Sequence, residues 1–157
     1  MVVGAALWAV AAKLDGHSVI DPQSLGLALM GSLLPDIDHP QSWAGRKFRV
    51  ISVPLSAMLG HRGITHSLLA ILLGSMTLGA MGLNHISAPL IVGYLSHLLA
   101  DGLTPSGVPL LWPNRRRFSL PLCKTGSAME MLVVGLLAAL GGWALGVDLT
   151  KLPHPHL

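Results

Sequence analysis

Five apolar stretches dominate the chain, and segments rich in Pro, Gly, His and Arg separate them. The stretches cover residues 2–12, 25–34, 68–83, 88–99 and 131–147. Mainly apolar stretches of this length predict buried or membrane helices. Only the third and the fifth approach the ~20 residues that a full membrane span requires. We therefore expect the other three to recruit flanking polar residues or to stop short of one membrane face.

The composition favours lipid over water as the main solvent. Hydrophobic residues make up 52% of the chain, charged residues only 11%, and the mean hydropathy is +0.63. Soluble domains carry more charge, and abundant Gly and Ala suit helices that pack closely in a bilayer. We predict one domain over residues 1–157, an all-α polytopic membrane bundle of about four to five helices. The first stretch lacks a basic leader, so we interpret it as a retained helix.

The basic residues predict the orientation of this bundle. Eight of the ten lie in two connections, at Arg46, Lys47, Arg49, Arg62, Arg115, Arg116, Arg117 and Lys124. Connections rich in Lys and Arg usually face the cytoplasm. A hairpin of the third and fourth stretches, turning near His85 on the far side, would open to the same face. We expect these cations to contact membrane lipids and not nucleic acid.

Cysteine usage limits the chemistry of any metal site. Cys123 is the single cysteine, which excludes an internal disulfide and a Cys-rich zinc site. A metal would have to be held by the chain's eight His and seven acidic residues. Three short motifs contain the candidates.

The first motif follows the second stretch. Asp36, Asp38 and His39 lie within four residues between two prolines. Hard carboxylate oxygens beside an imidazole suit Zn²⁺, Mn²⁺ or Fe²⁺. The alternative is a turn in which an Asp side chain caps the backbone.

The second motif precedes the third stretch. His61 and His66 would point ~140° apart on a regular helix, but Gly63 between them lets the chain fold back. Arg62 beside them could clamp a phosphate or a developing oxyanion. The alternative for Arg62 is a topology-setting charge at the membrane interface.

The third motif lies at the end of the fourth stretch. His97 and Asp101 are four residues apart and therefore share one face of a helix. They could form a plain hydrogen-bonded pair. Because ionisable groups are costly in apolar surroundings, we favour a functional role.

Two helix starts also carry candidate residues. Thr65 or Ser67 is predicted to cap the third stretch, and Ser127 with Glu130 forms a capping-box pattern ahead of the fifth. Glu130 is the only glutamate in the chain, so it is also a candidate ligand or general base.

The predicted topology brings the three motifs to one membrane level, on the cytoplasmic side. His85, His17 and Asp21 map to the opposite side and are left out of the site. The predicted metal ligands are Asp36, Asp38, His39, His61, His66, His97 and Asp101.

At these residues the chain resembles the YdjM-like family of LexA-regulated, inner-membrane-associated, metal-dependent hydrolases. The motifs are LLPDIDHP, GHRGITHSLLA, GYLSHLLADGLTPSGVPLLWP and, more loosely, TGSAMEML. The resemblance implies a bacterial inner membrane location, a link to the DNA-damage response, and the same polar core residues. Family members usually begin the first helix with a His, where this chain has Met1-Val2-Val3-Gly4.

These observations predict a hydrolase that uses a metal-activated water on a phosphoester or ester of a lipid or another amphiphile. We expect Zn²⁺ first, with Mn²⁺ or Fe²⁺ as alternatives. Arg62 would stabilise the developing negative charge, and Asp38 or Glu130 would take the proton. Two other classes stay open: a metal or proton transporter, and a scaffold in which the metal only ties helix ends together.

Overall fold

The computed structural model describes residues 2–16, 21–59, 63–114, 116–122 and 126–146. These residues form seven α-helices: α1 (Val2–Leu14), α2 (Pro22–Leu33), α3 (Trp43–Lys47), α4 (Arg49–Leu59), α5 (Leu68–Ala80), α6 (Asn84–Gly102) and α7 (Ala128–Ala144). Two 3-10 turns, Pro35–Asp38 and Ile64–His66, precede α3 and α5. Within this part of the chain the only β pairing is an isolated bridge between Val108 and Phe118. The all-α prediction is confirmed.

The five predicted stretches correspond to α1, α2, α5, α6 and α7. The described residues form two helices more than predicted, because α3 and α4 lie in a segment that the sequence pattern predicts to be a connection. Three cations and Pro54 interrupt the apolar pattern there, so it contains no long apolar run. Helix α4 is amphipathic, with its apolar and polar residues on different sides, so a search for long apolar runs does not detect it.

Side-chain caps mark where several helices begin. Asp21 accepts hydrogen bonds from the first backbone N–H groups of α2, and Ser67 accepts one from Ala70 at the start of α5. The N-cap of α5 is therefore Ser67 and not Thr65. On α7, Ser127 accepts from the N–H of Glu130, and the Glu130 carboxylate accepts from Gly126 at 2.5 Å. The predicted capping pattern is confirmed.

The backbones of helices α2 and α6 approach each other closely. A Cβ atom added to Gly31 would lie 2.2 Å from the carbonyl oxygen of Leu90, and one added to Gly93 would lie 2.0 Å from that of Ala28. Only glycine fits at these two positions, because any side chain would strike the opposing backbone. The crossing sets the register of α6 along α2.

Small residues also pack α1 into the bundle. Gly4 lies against Ser32 of α2 and Ser96 of α6, and Ala6 lies against Gly141 of α7. Buried alanines at positions 6, 9, 12 and 28 dominate the interior, whereas many leucines and methionines face outward. Close approach of backbones through small residues is the packing mode of membrane helices.

The connection after α6 is tied to both neighbouring helices. Leu120 donates its N–H to the carbonyl of Gly102 at 2.8 Å, and Leu68 donates to Leu110 at 3.0 Å. Val108 and Phe118 exchange two backbone hydrogen bonds of 2.9 Å each. The loop is therefore anchored beside the end of α6 and the start of α5.

Large apolar side chains cover the outer surface. Leu132, Leu136 and Leu140 form an exposed stripe along α7, and Leu72, Leu73 and Met76 are exposed on α5. Over the described residues, however, no helix combines the length and the apolar composition that crossing a bilayer requires.

The α2–α6 crossing predicts that a larger residue at position 93 destabilises the protein. We expect Gly93→Ala to destabilise the protein by about 1–3 kcal/mol, because the new methyl group would overlap the backbone of α2. Gly74→Ala in α5 is the matched control, since an added Cβ there has nothing within 4 Å. That change should be neutral or stabilise by up to ~1 kcal/mol through helix propensity. Denaturant unfolding of the detergent-purified variants measures both, and equal effects would contradict the proposed role of the crossing.

Candidate metal centre

The register of α6 along α2 places His97 against the end of α2. Its Nδ1 atom lies 2.9 Å from the backbone carbonyl oxygen of Ser32. A carbonyl can only accept a hydrogen bond, so Nδ1 carries a proton and Nε2 is the ring nitrogen that faces the interior. A hydrogen bond from the other ring nitrogen to a carbonyl is typical of metal-ligating histidines.

Thr65 orients His66 in a similar way. The Thr65 hydroxyl donates its proton to the Asp38 carboxylate, and its oxygen lies 3.1 Å from Nδ1 of His66. Because the hydroxyl proton is already used, the oxygen accepts from Nδ1–H. The Tyr94 hydroxyl donates to the backbone carbonyl of Thr65 and holds this turn in place. His66 therefore also directs Nε2 away from its supporting residues.

Three candidate ligands from distant parts of the chain converge. Asp36, His66 and His97 each offer one ligand atom, and these three atoms lie within 4.8 Å of one another. His97 Nε2 is 3.8 Å from Asp36 Oδ1, and the two imidazole rings meet edge to face with centroids 5.5 Å apart. The predicted convergence of the three motifs is present in the fold.

Asp101 adds a carboxylate to this group. Its Oδ2 atom lies 3.8 Å from His66 Nε2 and 3.9 Å from His97 Nε2. The spacing of His97 and Asp101 on one helix face, expected from the sequence, thus directs both towards His66. We call Asp36, His66, His97 and Asp101 the His–Asp cluster.

The distances within the His–Asp cluster favour a cation over direct hydrogen bonds. N–H···O bonds have donor–acceptor distances of ~2.7–3.2 Å, and the nitrogen–oxygen separations here are 3.8–3.9 Å. Two ligand bonds of ~2.0–2.1 Å to one ion can span separations of this size. Among the described residues, the buried His97 Nε2 has no hydrogen-bond partner. The donor set therefore fits a divalent metal ion.

Asp38 lies on the other side of His66. Its carboxylate is fully buried, and Oδ1 is 3.9 Å from Nδ1, the ring atom that faces away from the cluster. Burial raises the pKa of Asp38 above its ordinary value, while the hydrogen bonds from Thr65 and from the backbone N–H of Gly63 act against that rise. The geometry assigns Asp38 to the support of Thr65 and His66.

The other predicted site residues are placed differently. His39 accepts the backbone N–H of Gln41 through Nδ1 at 3.2 Å, and the metal-ligand geometry described above does not include it. The Glu130 carboxylate caps its own helix, α7, which packs on α1. His61 and Arg62 lie outside the described residues.

Sequence reasoning missed three supporting groups. Thr65 was considered only as a helix cap, although its position next to a candidate ligand is a usable signal. Tyr94 and the carbonyl of Ser32 carry no local signal, because their contacts depend on how α6 meets α2 and the turn before α5.

Comparison with known proteins gives a consistent family match. A family model described as "YdjM inner membrane protein" matches residues 1–152. The inner membrane protein YdjM of Escherichia coli (strain K12) is 45% identical over 124 residues, which cover 74% of this chain and 63% of that protein. YdjM of Shigella flexneri matches to the same extent. The protein YvsG of Bacillus subtilis (strain 168) is 46% identical over 107 residues, 67% of each chain.

The chain spans less than two thirds of the length of the two YdjM relatives. No solved structure matches. The names of these relatives give a location at the inner membrane and no reaction.

The His–Asp cluster predicts stoichiometric metal binding. We expect His97→Ala and Asp36→Asn to lower Zn²⁺ affinity by at least ~10²-fold, because each removes one of three converging ligand atoms. His85→Ala is the matched control, since His85 is exposed at the start of α6, away from the cluster. Elemental analysis and chelator competition on detergent-purified protein measure the affinity. Unchanged affinity in both cluster variants would contradict the assignment.

Thr65 should affect metal affinity without touching the ion. Thr65→Val keeps the shape of the side chain but removes the acceptor for His66 Nδ1–H and the donor to Asp38. We expect a 10–100-fold loss of affinity, the range typical of residues that hydrogen-bond to a metal ligand. Thr65→Ser retains the hydroxyl and should bind nearly as well as the parent. Equal losses in the two variants in the chelator assay would show that packing, and not hydrogen bonding, matters at this position.

Proposed function

The chain belongs to the YdjM family of inner membrane proteins, and from this premise we propose that it is a membrane-bound, divalent-metal-dependent hydrolase of ester or phosphoester bonds in amphiphiles. The observation that carries the proposal is the convergence of Asp36, His66 and His97 within 4.8 Å. Zn²⁺ is the expected ion, with Mn²⁺ or Fe²⁺ as alternatives that the same ligand set accepts.

The ligand set supports catalysis more than a purely structural role. Structural zinc sites usually have four protein ligands, whereas catalytic sites have three and leave a position open. Asp36, His66 and His97 supply two imidazoles and one carboxylate. A bound ion would supply a Lewis acid and would make water a stronger acid at neutral pH.

In this proposal Asp101 is the proton acceptor. Its carboxylate lies beside both Nε2 atoms of the His–Asp cluster, within reach of a substrate or water held there. Asp101 thus takes the role of proton acceptor, for which the sequence indicates Asp38 or Glu130. Asp38 is unsuited because it faces Nδ1 of His66, and Glu130 because it caps α7.

His66 and His97 enter the reaction already oriented. Their Nδ1–H groups donate to the Thr65 hydroxyl and to the Ser32 carbonyl, respectively. These hydrogen bonds fix the orientation of both rings before a metal ion binds. Arg62 keeps its sequence-based assignment as the group that would stabilise negative charge on the substrate.

An apolar cavity lies beside the helix that carries His97 and Asp101. A space of about 500 Å³ adjoins the carboxyl-terminal half of α6, on the side of the helix that carries Leu95, Leu98 and Leu99 and not on the side of the His–Asp cluster. Val108 and Phe118 form part of the opposite wall. Cavities of this size and character hold the apolar part of small ligands. An acyl chain fits this lining.

The proposed topology is multi-pass, with the His–Asp cluster at the cytoplasmic face. Its support is the concentration of basic residues in the two connections that flank the α5–α6 hairpin. The exposed apolar side chains of α5 and α7 are suited to face lipid.

Turnover separates an enzyme from the other classes. The metal-loaded full chain in detergent or nanodiscs would be assayed on a panel of phosphomonoesters, phosphodiesters and lysophospholipids. We expect Asp101→Asn to retain the metal within a few-fold and to lose ~10²–10⁴-fold in kcat, the usual contribution of a general base. His85→Ala should keep full activity.

Two outcomes would contradict the hydrolase proposal. Stoichiometric metal with no turnover on any substrate would favour the scaffold. Metal uptake into proteoliposomes that depends on His97 would favour transport.

A further inference from the structure

Helix α4 has its polar side inside and its apolar side outside. Ser52 is fully buried, and Leu55 and Ser56, three and four residues on, are half-buried against the rest of the protein. On the opposite side Val50 is 90% exposed and Met58 82% exposed. A helix at a water-facing surface has the reverse arrangement, with apolar residues directed to the core.

The exposed apolar surface continues onto α3. Trp43 is 61% exposed and Phe48, between the two helices, is 51% exposed. We call residues 43–59 the α3–α4 segment. Apolar patches of this extent on a folded protein mark an interaction surface.

Charge at the centre of the α3–α4 segment indicates the chemistry of its partner. Arg46, Lys47 and Arg49 are all exposed at the junction of the two helices, and residues 41–100 contain no acidic residue. Three cations beside exposed aromatic and aliphatic side chains complement a surface that is anionic at its edge and apolar below. An anionic phospholipid leaflet has this arrangement.

The dimensions of α4 exclude a transmembrane arrangement. Its 11 residues make a helix ~16 Å long, about half of the ~30 Å hydrocarbon core. Buried Ser52 also faces the protein and cannot face lipid. Lying parallel to the membrane surface places the apolar side of the helix in lipid and leaves its polar side against the protein.

We propose that the α3–α4 segment is an in-plane membrane-interface element, which lays the outer face of α4 on the acyl–headgroup boundary of an anionic leaflet while its cations bind lipid phosphates. This inference is independent of the hydrolase proposal, because it uses no residue of the His–Asp cluster. It places the turn that carries Asp36 and Asp38, against which α3 and α4 pack, next to that lipid surface.

Depth measurements on the full chain test the proposal. Val50→Cys and Met58→Cys in a Cys123→Ser background would carry a nitroxide label, with the protein in nanodiscs that contain phosphatidylglycerol. We expect both labels to collide several-fold more often with oxygen, which partitions into lipid, than with a water-soluble nickel chelate. Gln41→Cys is the matched control, since Gln41 is exposed just outside the segment, and it should show the opposite preference.

A charge variant tests the headgroup contact. Replacing Arg46, Lys47 and Arg49 together with Gln should make the depth of the label at position 50 the same in phosphatidylglycerol and phosphatidylcholine nanodiscs. In the parent the label should lie deeper in the anionic bilayer. All substitutions are at exposed positions, and unchanged circular dichroism would confirm that the fold is intact.

Three results would overturn the proposal. The first is that the labels at positions 50 and 58 are as accessible to the nickel chelate as the label at position 41. The second is that both labels are shielded from both reagents, which would show that protein covers the face. The third is spin–spin broadening, which would identify a second copy of the chain as the occupant. Hydrolase activity affects none of these readouts, so the two proposals can fail separately.

Discussion

The close contact of α2 with α6 is the constraint on which the site depends. Gly31 and Gly93 allow the two backbones to meet, and no side chain larger than hydrogen fits at either position. His97 lies one helical turn beyond Gly93, so the crossing delivers its ring to the carbonyl of Ser32. The same crossing positions Asp36, just past the end of α2, opposite His97 Nε2. A shift of one residue in the register would rotate His97 by ~100° and remove it from the group.

Electrostatics explain why the His–Asp cluster is suited to a cation. Both imidazoles use Nδ1–H in supporting hydrogen bonds, so their Nε2 atoms face the carboxylates of Asp36 and Asp101. Carboxylates held close together in a partly buried site are favourable where positive charge compensates them. The separation of 3.8 Å between His97 Nε2 and Asp36 Oδ1 is too long for a hydrogen bond, and two ligand bonds to one ion can span it. Thr65 and Asp38 stabilise this arrangement from outside the cluster.

The apolar side chains on the outer surface are distributed as expected for a protein that is in contact with lipid. Small residues fill the interior, so backbones pack closely, and the large apolar side chains that would form the core of a soluble domain point outward. This distribution is most pronounced in helix α4, where Ser52 is buried and Val50 is exposed. An inner membrane location for the family agrees with such a distribution.

Hydrophobic periodicity in the sequence was sufficient to predict five of the seven helices of the described residues, and local motifs identified all four members of the His–Asp cluster. Both are short-range signals: an apolar run encodes a helix, and the spacing of His97 and Asp101 encodes a shared face. Long apolar runs do not predict α3 and α4, because α3 is only five residues long and α4 carries its apolar residues on one side of an amphipathic helix. The division of Asp36 and Asp38 between the ligand and supporting sides of His66, and the roles of Thr65 and the Ser32 carbonyl, depended on the α2–α6 crossing. Contacts between residues far apart in the chain are set by how backbones meet in space, and only the tertiary structure decides that.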